Sequence, residues 1–116
     1  MALPHTASSE IVRIAPLGTA LAGAVTSAIL KANELEVIRI VVPKGKTLPQ
    51  HQVPGEITFY CIEGEVELQT ERAAQVLAAG DFVHLRGGAA HALTGHTDAS
   101  LLLTISLCTA RDGLPG

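Results

Sequence analysis

The sequence predicts an all-β domain, a barrel or sandwich built from short strands. Three observations carry this reading. Turn residues recur evenly, from Pro16-Leu17-Gly18 and Gly23 through Pro43-Lys44-Gly45, Pro54-Gly55, Gly64 and Gly80 to Gly87-Gly88 and Gly95. The stretches between them are short and rich in β-branched residues. One of them, Glu65-Val66-Glu67-Leu68-Gln69, alternates polar and apolar with a period of two, as a half-buried strand must. Many short strands with turns between them describe a barrel or sandwich.

Taken in order, residues 1–10 ("MALPHTASSE") read as a flexible polar tail, and residues 11–116 as a single domain. From Ile14 to Leu30 no charged residue occurs, but Pro16, Gly18 and Gly23 interrupt the run, which is short for a membrane span. Glu10 and Arg13 ahead of it do not form the basic region of a signal peptide. The expectation is a soluble, cytoplasmic protein with no membrane partner. Strands are expected over 36–42 ("EVIRIVV"), 56–62 ("EITFYCI"), 65–70 ("EVELQT"), 81–85 ("DFVHL") and 100–107 ("SLLLTISL"). Only "ERAAQVLAAG" at 71–80 has a helix-compatible composition, with Gly80-Asp81 turning into the next strand.

Composition narrows the function. Eight Lys and Arg against eleven Asp and Glu give a formal charge of −3 without a basic cluster, which argues against a nucleic-acid partner. Aromatics are 3% of the chain, so the core must be Val, Leu, Ile and Ala. Cys61 and Cys108 are expected as two buried thiols and not as a disulfide. No catalytic serine arrangement, phosphate loop or zinc Cys-x-x-Cys motif is present.

Two spaced motifs give the chain a resemblance. Gly45 is followed by five residues, then His51, and a closing Gly64. Later come Gly80, Gly88 and His91. In this register residues 36–107 resemble a small single-domain cupin, RmlC-like and of the cupin-2 type. The resemblance implies a double-stranded β-helix, a jelly-roll-like antiparallel barrel. It also implies a metal set of three histidines and a glutamate around iron, manganese, nickel or zinc. Here His51 and His91 occupy two of those four positions. Val53 stands where the second histidine belongs and Ile57 where the glutamate belongs, while Arg86 and Gly95 replace the motif's proline and asparagine. Two imidazoles hold a divalent transition metal only weakly.

Strand parity assigns the rest. If position 57 faces inward, as the resemblance implies, Ile57, Phe59 and Cys61 face in, and Glu56, Thr58 and Tyr60 face out. Glu56 turns inward only if a bulge follows Pro54-Gly55. The expected ligand pocket is therefore His51, Val53, Ile57, Phe59, Cys61 and His91, a lining that suits a small, largely apolar ligand and equally suits bare core packing. His84 shares a face with Phe82 and reads as structural or surface. Glu63, Glu65 and Glu67 read as a solvated strand face. Arg39, interrupting "VIRIVV", either pairs with a ligand carboxylate inside or sits on the polar face, the commoner case. His5 and His96 read as exposed. Cys61 reads as a small hydrophobe before it reads as a soft metal ligand.

The expected function is small-molecule binding near His51 and His91. The alternative is a metal-dependent enzyme of dioxygenase or isomerase type with a non-standard ligand set. A third reading makes the barrel mainly a dimerisation scaffold, and a homodimer is expected in any case. The segment before residue 36 is apolar and too long for so small a barrel to wrap.

Overall fold

The computed structural model describes residues 5–108. The expected tail at 1–4 and the C-terminal part of the domain at 109–116 lie outside the described residues. Among the described residues there are nine strands: β1 (Ser27–Lys31), β2 (Leu35–Val42), β3 (Thr47–His51), β4 (Ile57–Glu63), β5 (Glu65–Thr70), β6 (Ala74–Ala78), β7 (Phe82–Leu85), β8 (His91–Gly95) and β9 (Ala99–Ser106). They form a five-stranded sheet, β1-β2-β9-β4-β7, and a four-stranded sheet, β3-β8-β5-β6. Every ladder between strands is antiparallel. Apart from the hairpins β1–β2 and β5–β6, successive strands alternate between the sheets, so the chain winds as a double-stranded β-helix around one core.

That core follows the period-two pattern. Ile40 and Val42 of β2, Ile57, Phe59 and Cys61 of β4, and Leu101 and Leu103 of β9 face Val66 and Leu68 of β5, Leu77 of β6 and Leu93 of β8. Phe59 is the core's one large aromatic ring and is fully buried. Gly64 makes the β4–β5 turn with φ 81°, and a Cβ there would collide with the backbone of Asp98 and Ala99. Only glycine fits.

The sequence reading needs correction at four strands that it does not list, β1, β3, β6 and β8 (His91–Gly95). The helix-compatible stretch at 71–80 contains strand β6, with Glu67 opposite Val76 and Leu77 buried 96% in the core. Ten residues make a marginal helix, whereas pairing with β5 satisfies the backbone and buries a leucine. Thr70 closes the turn between them, its hydroxyl accepting from the amides of Arg72 and Ala73. Strand β1 falls inside the uncharged run before residue 36 and pairs with β2. Strand β3 contains Pro49, which is tolerated because β3 is the edge of its sheet.

Residues 5–10 are tied locally. The Thr6 amide donates to the Ile29 carbonyl at 2.9 Å, and the Glu10 carboxylate accepts from Thr6 Oγ1 and the Ala7 amide. No described helix is long and apolar enough to cross a membrane.

Candidate functional site

The candidate site lies at the end of the barrel where β3 finishes and β4 and β8 begin. Two loops shape it, and both depend on glycine. A Cβ on Gly55 would strike the Ser106 carbonyl, and one on Gly87 would strike the Pro54 carbonyl. The two loops are therefore packed backbone to backbone, and the Gly88 amide donates to the Val53 carbonyl at 2.8 Å. Their close approach brings the start of β8 against the start of β4.

His91, the first residue of β8, is 2% exposed. Its Nδ1 lies 3.0 Å from the Ala89 carbonyl oxygen, which accepts only, so Nδ1 carries the proton in the neutral ring and Nε2 carries the lone pair. The ring meets Phe59 edge-on, with centroids 5.6 Å apart and an interplanar angle of 71°. Across the ladder, the backbone of His51 is the register partner of His91, and on the other side His91 pairs with Thr70. The two motif histidines are thus brought to one level of one sheet, although nothing in their spacing along the chain does so. Ile57 is buried in the core and Val53 is half-buried against it.

Cys61 is placed differently. It lies one inward position beyond Phe59 on β4, at the level of Leu101, toward the Gly64 turn. Its thiol donates to the carbonyls of Glu63 and Gly64 at 3.6 and 3.5 Å. Burial pushes this thiol above its ordinary range, and the nearby carboxylates of Asp81, Glu63 and Glu65 push the same way. It is a buried packing residue, the next inward position after Phe59 toward the Gly64 turn. Cys108 is half-buried, not buried as expected, and donates to the Glu34 carboxylate at 2.7 Å; both cysteines are free.

Glu56 is on the outside. Its carboxylate lies 2.6 Å from His84 Nε2, both side chains are more than half exposed, and His84 shares its outward face with Phe82. No bulge follows Pro54-Gly55. The irregularity of β4 is at its other end, between Cys61 and Glu63, where it turns Glu63 out of the interior-facing series.

Arg39 and Glu63 correct the sequence reading. Arg39 neither lines the interior nor sits on a solvated face. It projects from the outer side of the five-stranded sheet, its side chain is 11% exposed, and it lies 3.9 Å from the Glu63 carboxylate. Glu63, 13% exposed, is not part of a solvated carboxylate row. Glu65 and Glu67 do form such a row, and they bracket His96 at 3.5 and 3.3 Å. No spacing rule links Arg39 to Glu63, and only the bulge before Glu63 reveals the pair.

Among the described residues no group of three or more His, Cys, Asp or Glu side chains converges. Val53 and Ile57 bring methyl groups to two positions where the resemblance asks for ligands, and Glu56 is engaged outside.

Comparison with known proteins agrees with this architecture. The Cupin_2 family model, described as the cupin domain, matches residues 38–107. A cupin superfamily protein from Desulfitobacterium hafniense superposes with a TM-score of 0.70 at 13% identity, covering 72% of this chain and 77% of that one. An RmlC-like cupin from Shewanella frigidimarina gives 0.67 at 24% identity, covering 77% and 79%. The DMSP lyase DddQ from Ruegeria pomeroyi gives 0.66 at 22% identity, covering 70% of this chain and 45% of that one. No protein of curated function matches the chain. The family match over most of the chain, on a double-stranded β-helix with His51 and His91 in register, makes this protein a member of the cupin family.

Proposed function

We propose that this cupin binds a small, largely apolar molecule at the histidine end of its barrel, without a firmly held metal. The observation that supports this most directly is His91. It is an imidazole buried edge-on against Phe59, with Nδ1 directed to the Ala89 carbonyl. A buried imidazole on an apolar wall suits a small, largely hydrophobic ligand held by few polar contacts. Two imidazoles, His51 and His91 by the family register, would give iron, manganese, nickel or zinc a weak foothold that water or the ligand must complete. Enzymes exist on this fold, but the likeness to the DMSP lyase bears on the fold alone, and no lyase activity is carried over.

We also propose a cytoplasmic homodimer. Two free thiols suit a reducing compartment. Tyr60 and Phe82, register partners on β4 and β7, stand 43% and 64% exposed on the outer face of the five-stranded sheet, as apolar area for a second copy.

The experiment is metal and small-molecule analysis of protein purified without a histidine tag. The expected result is substoichiometric metal together with a co-purifying small molecule that His91→Ala loses. A stoichiometric, tightly held transition metal overturns this reading in favour of a metal-dependent enzyme.

A further inference from the structure

We propose that residues 14–24 form a detachable strap across the outer face of the five-stranded sheet, latched by the single carboxylate of Glu63. This segment lies before β1 and joins neither sheet. One 3-10 turn, Gly18–Ala20, is its regular structure.

Glu63 gathers the strap to the barrel. The Leu17 amide donates to both carboxylate oxygens at 3.0 and 2.9 Å, and the Gly18 amide donates to Oε1 at 3.1 Å. From the barrel side, Ser100 Oγ donates to Oε2 at 2.6 Å and Arg39 stands 3.9 Å away. Arg39 in turn donates through Nη1 to Ser100 Oγ at 3.3 Å and through Nη2 to the Ala15 carbonyl at 2.9 Å. Two donors of the strap and two groups of the sheet thus meet on one anion. Charge-assisted bonds of this kind are the strong ones.

The strap has little else to hold it. Leu21 is its one fully buried hydrophobic side chain, with Ile14, Ala15, Leu17 and Ala24 half-buried. Beneath Leu21–Ala24, against Val41, Pro43 and Asp98, a crevice of about 190 Å³ is left unfilled. Further hydrogen bonds of the segment join the Ala20 amide to Leu17, the Leu21 amide to Gly18 and the Ala24 amide to Leu21, all inside the strap itself. A segment with few buried contacts, held by polar bonds to Glu63 and Arg39, opens below the free energy of global unfolding. When it opens it uncovers Arg39, Ser100 and Val41, a guanidinium and a hydroxyl beside an apolar side chain.

Hydrogen exchange on the full chain tests this. In the unmodified protein the amides of Leu17, Gly18, Leu21 and Ala24 should exchange together, and faster than those of Leu101 and Leu103. Glu63→Gln keeps the shape but removes the charge, and should speed the Leu17 and Gly18 amides by about tenfold while leaving the β9 amides unchanged. Should Glu63→Gln fail to fold, Ser100→Ala, which removes one donor to the same carboxylate, should speed the same two amides. Strap amides that exchange in step with the β9 core in the unmodified protein overturn the proposal. So does a charge-neutral variant whose Leu17 and Gly18 rates do not move.

Discussion

The Glu56 carboxylate and the His84 imidazole meet at 2.6 Å on the outer surface of the five-stranded sheet, turned away from the barrel interior. A glutamate one residue from the family's ligand position is thereby occupied elsewhere. Parity decides this, because Ile57 is 3% exposed and its neighbour must face the other way.

Glu56→Gln is therefore expected to leave nickel affinity unchanged in titration calorimetry. The pair is exposed, so its loss should change stability by no more than about 0.5 kcal/mol in urea unfolding. A variant that abolished metal binding would mean that Glu56 reaches inward in solution.

Restoring the missing donors should have the opposite effect. Val53→His with Ile57→Glu completes the ligand set that the family register calls for. The double variant should bind nickel more than about tenfold more tightly than the parent. It should also bind less tightly in acid, since an imidazole must be unprotonated to coordinate. Because Ile57 is buried, the glutamate should lower stability in the absence of metal and nickel should recover it. Equal nickel affinity in both proteins would show that positions 53 and 57 do not face His51 and His91.

These residues also mark what the sequence makes legible. The strands at 36–42, 56–62 and 65–70 could be read because β-branched runs and strict alternation are local signals, and the inward set Ile57, Phe59 and Cys61 follows from parity alone. Strand β6 could not, because its alanines and glutamine favour a helix and only pairing with β5 overrides them. Parity fixes the inward direction of Cys61 but not its level along the barrel, which lies beyond Phe59 toward the Gly64 turn. The Arg39–Glu63 pair was hidden for a related reason. A bulge shifts the register just before Glu63, and a covering segment without charge gives no hint of what it covers.

Phe59 should dominate core stability. It is the one large ring in a core of aliphatic side chains, and it supports the edge of His91. Phe59→Ala should cost about 3–5 kcal/mol in urea unfolding with an unchanged denaturant slope. Phe59→Leu, closer in volume, should cost markedly less. A loss below about 1 kcal/mol for the alanine variant would mean that the barrel collapses around the cavity.

Acid should weaken the fold through Glu63. Burial pushes its carboxyl up, but the Leu17 amide, the Ser100 hydroxyl, the Gly18 amide and the Arg39 charge together outweigh burial and hold it below its ordinary value of 4.5. A carboxyl depressed in the folded state contributes stability that is present above its unfolded pKa. That stability is lost as pH falls through 4.5 toward the folded value. The stability difference between the parent and Glu63→Gln, measured by urea unfolding, should therefore be largest near neutrality and shrink below that pH. A constant difference across the acid range would mean that Glu63 contributes through shape and not through charge.

Assembly is the remaining prediction. On the outer face of the five-stranded sheet Tyr60 and Phe82 sit directly opposite each other, and Phe82 is 64% exposed. Ile11, Val12 and Val25, in the segments preceding β1, add further exposed apolar side chains. Isolated exposed hydrophobics are ordinary, but an aromatic pair in register on a flat strand face is a surface that a two-fold copy can bury against itself. Light scattering at micromolar concentration should give twice the 12.0 kDa chain mass. Phe82→Lys should convert the dimer to monomer without lowering the unfolding midpoint of the monomer, because the ring contributes little to the core. A monomer mass for the parent chain would remove the dimer. A dimer that survives Phe82→Lys would move the interface away from the β4–β7 face, toward the segments before β1.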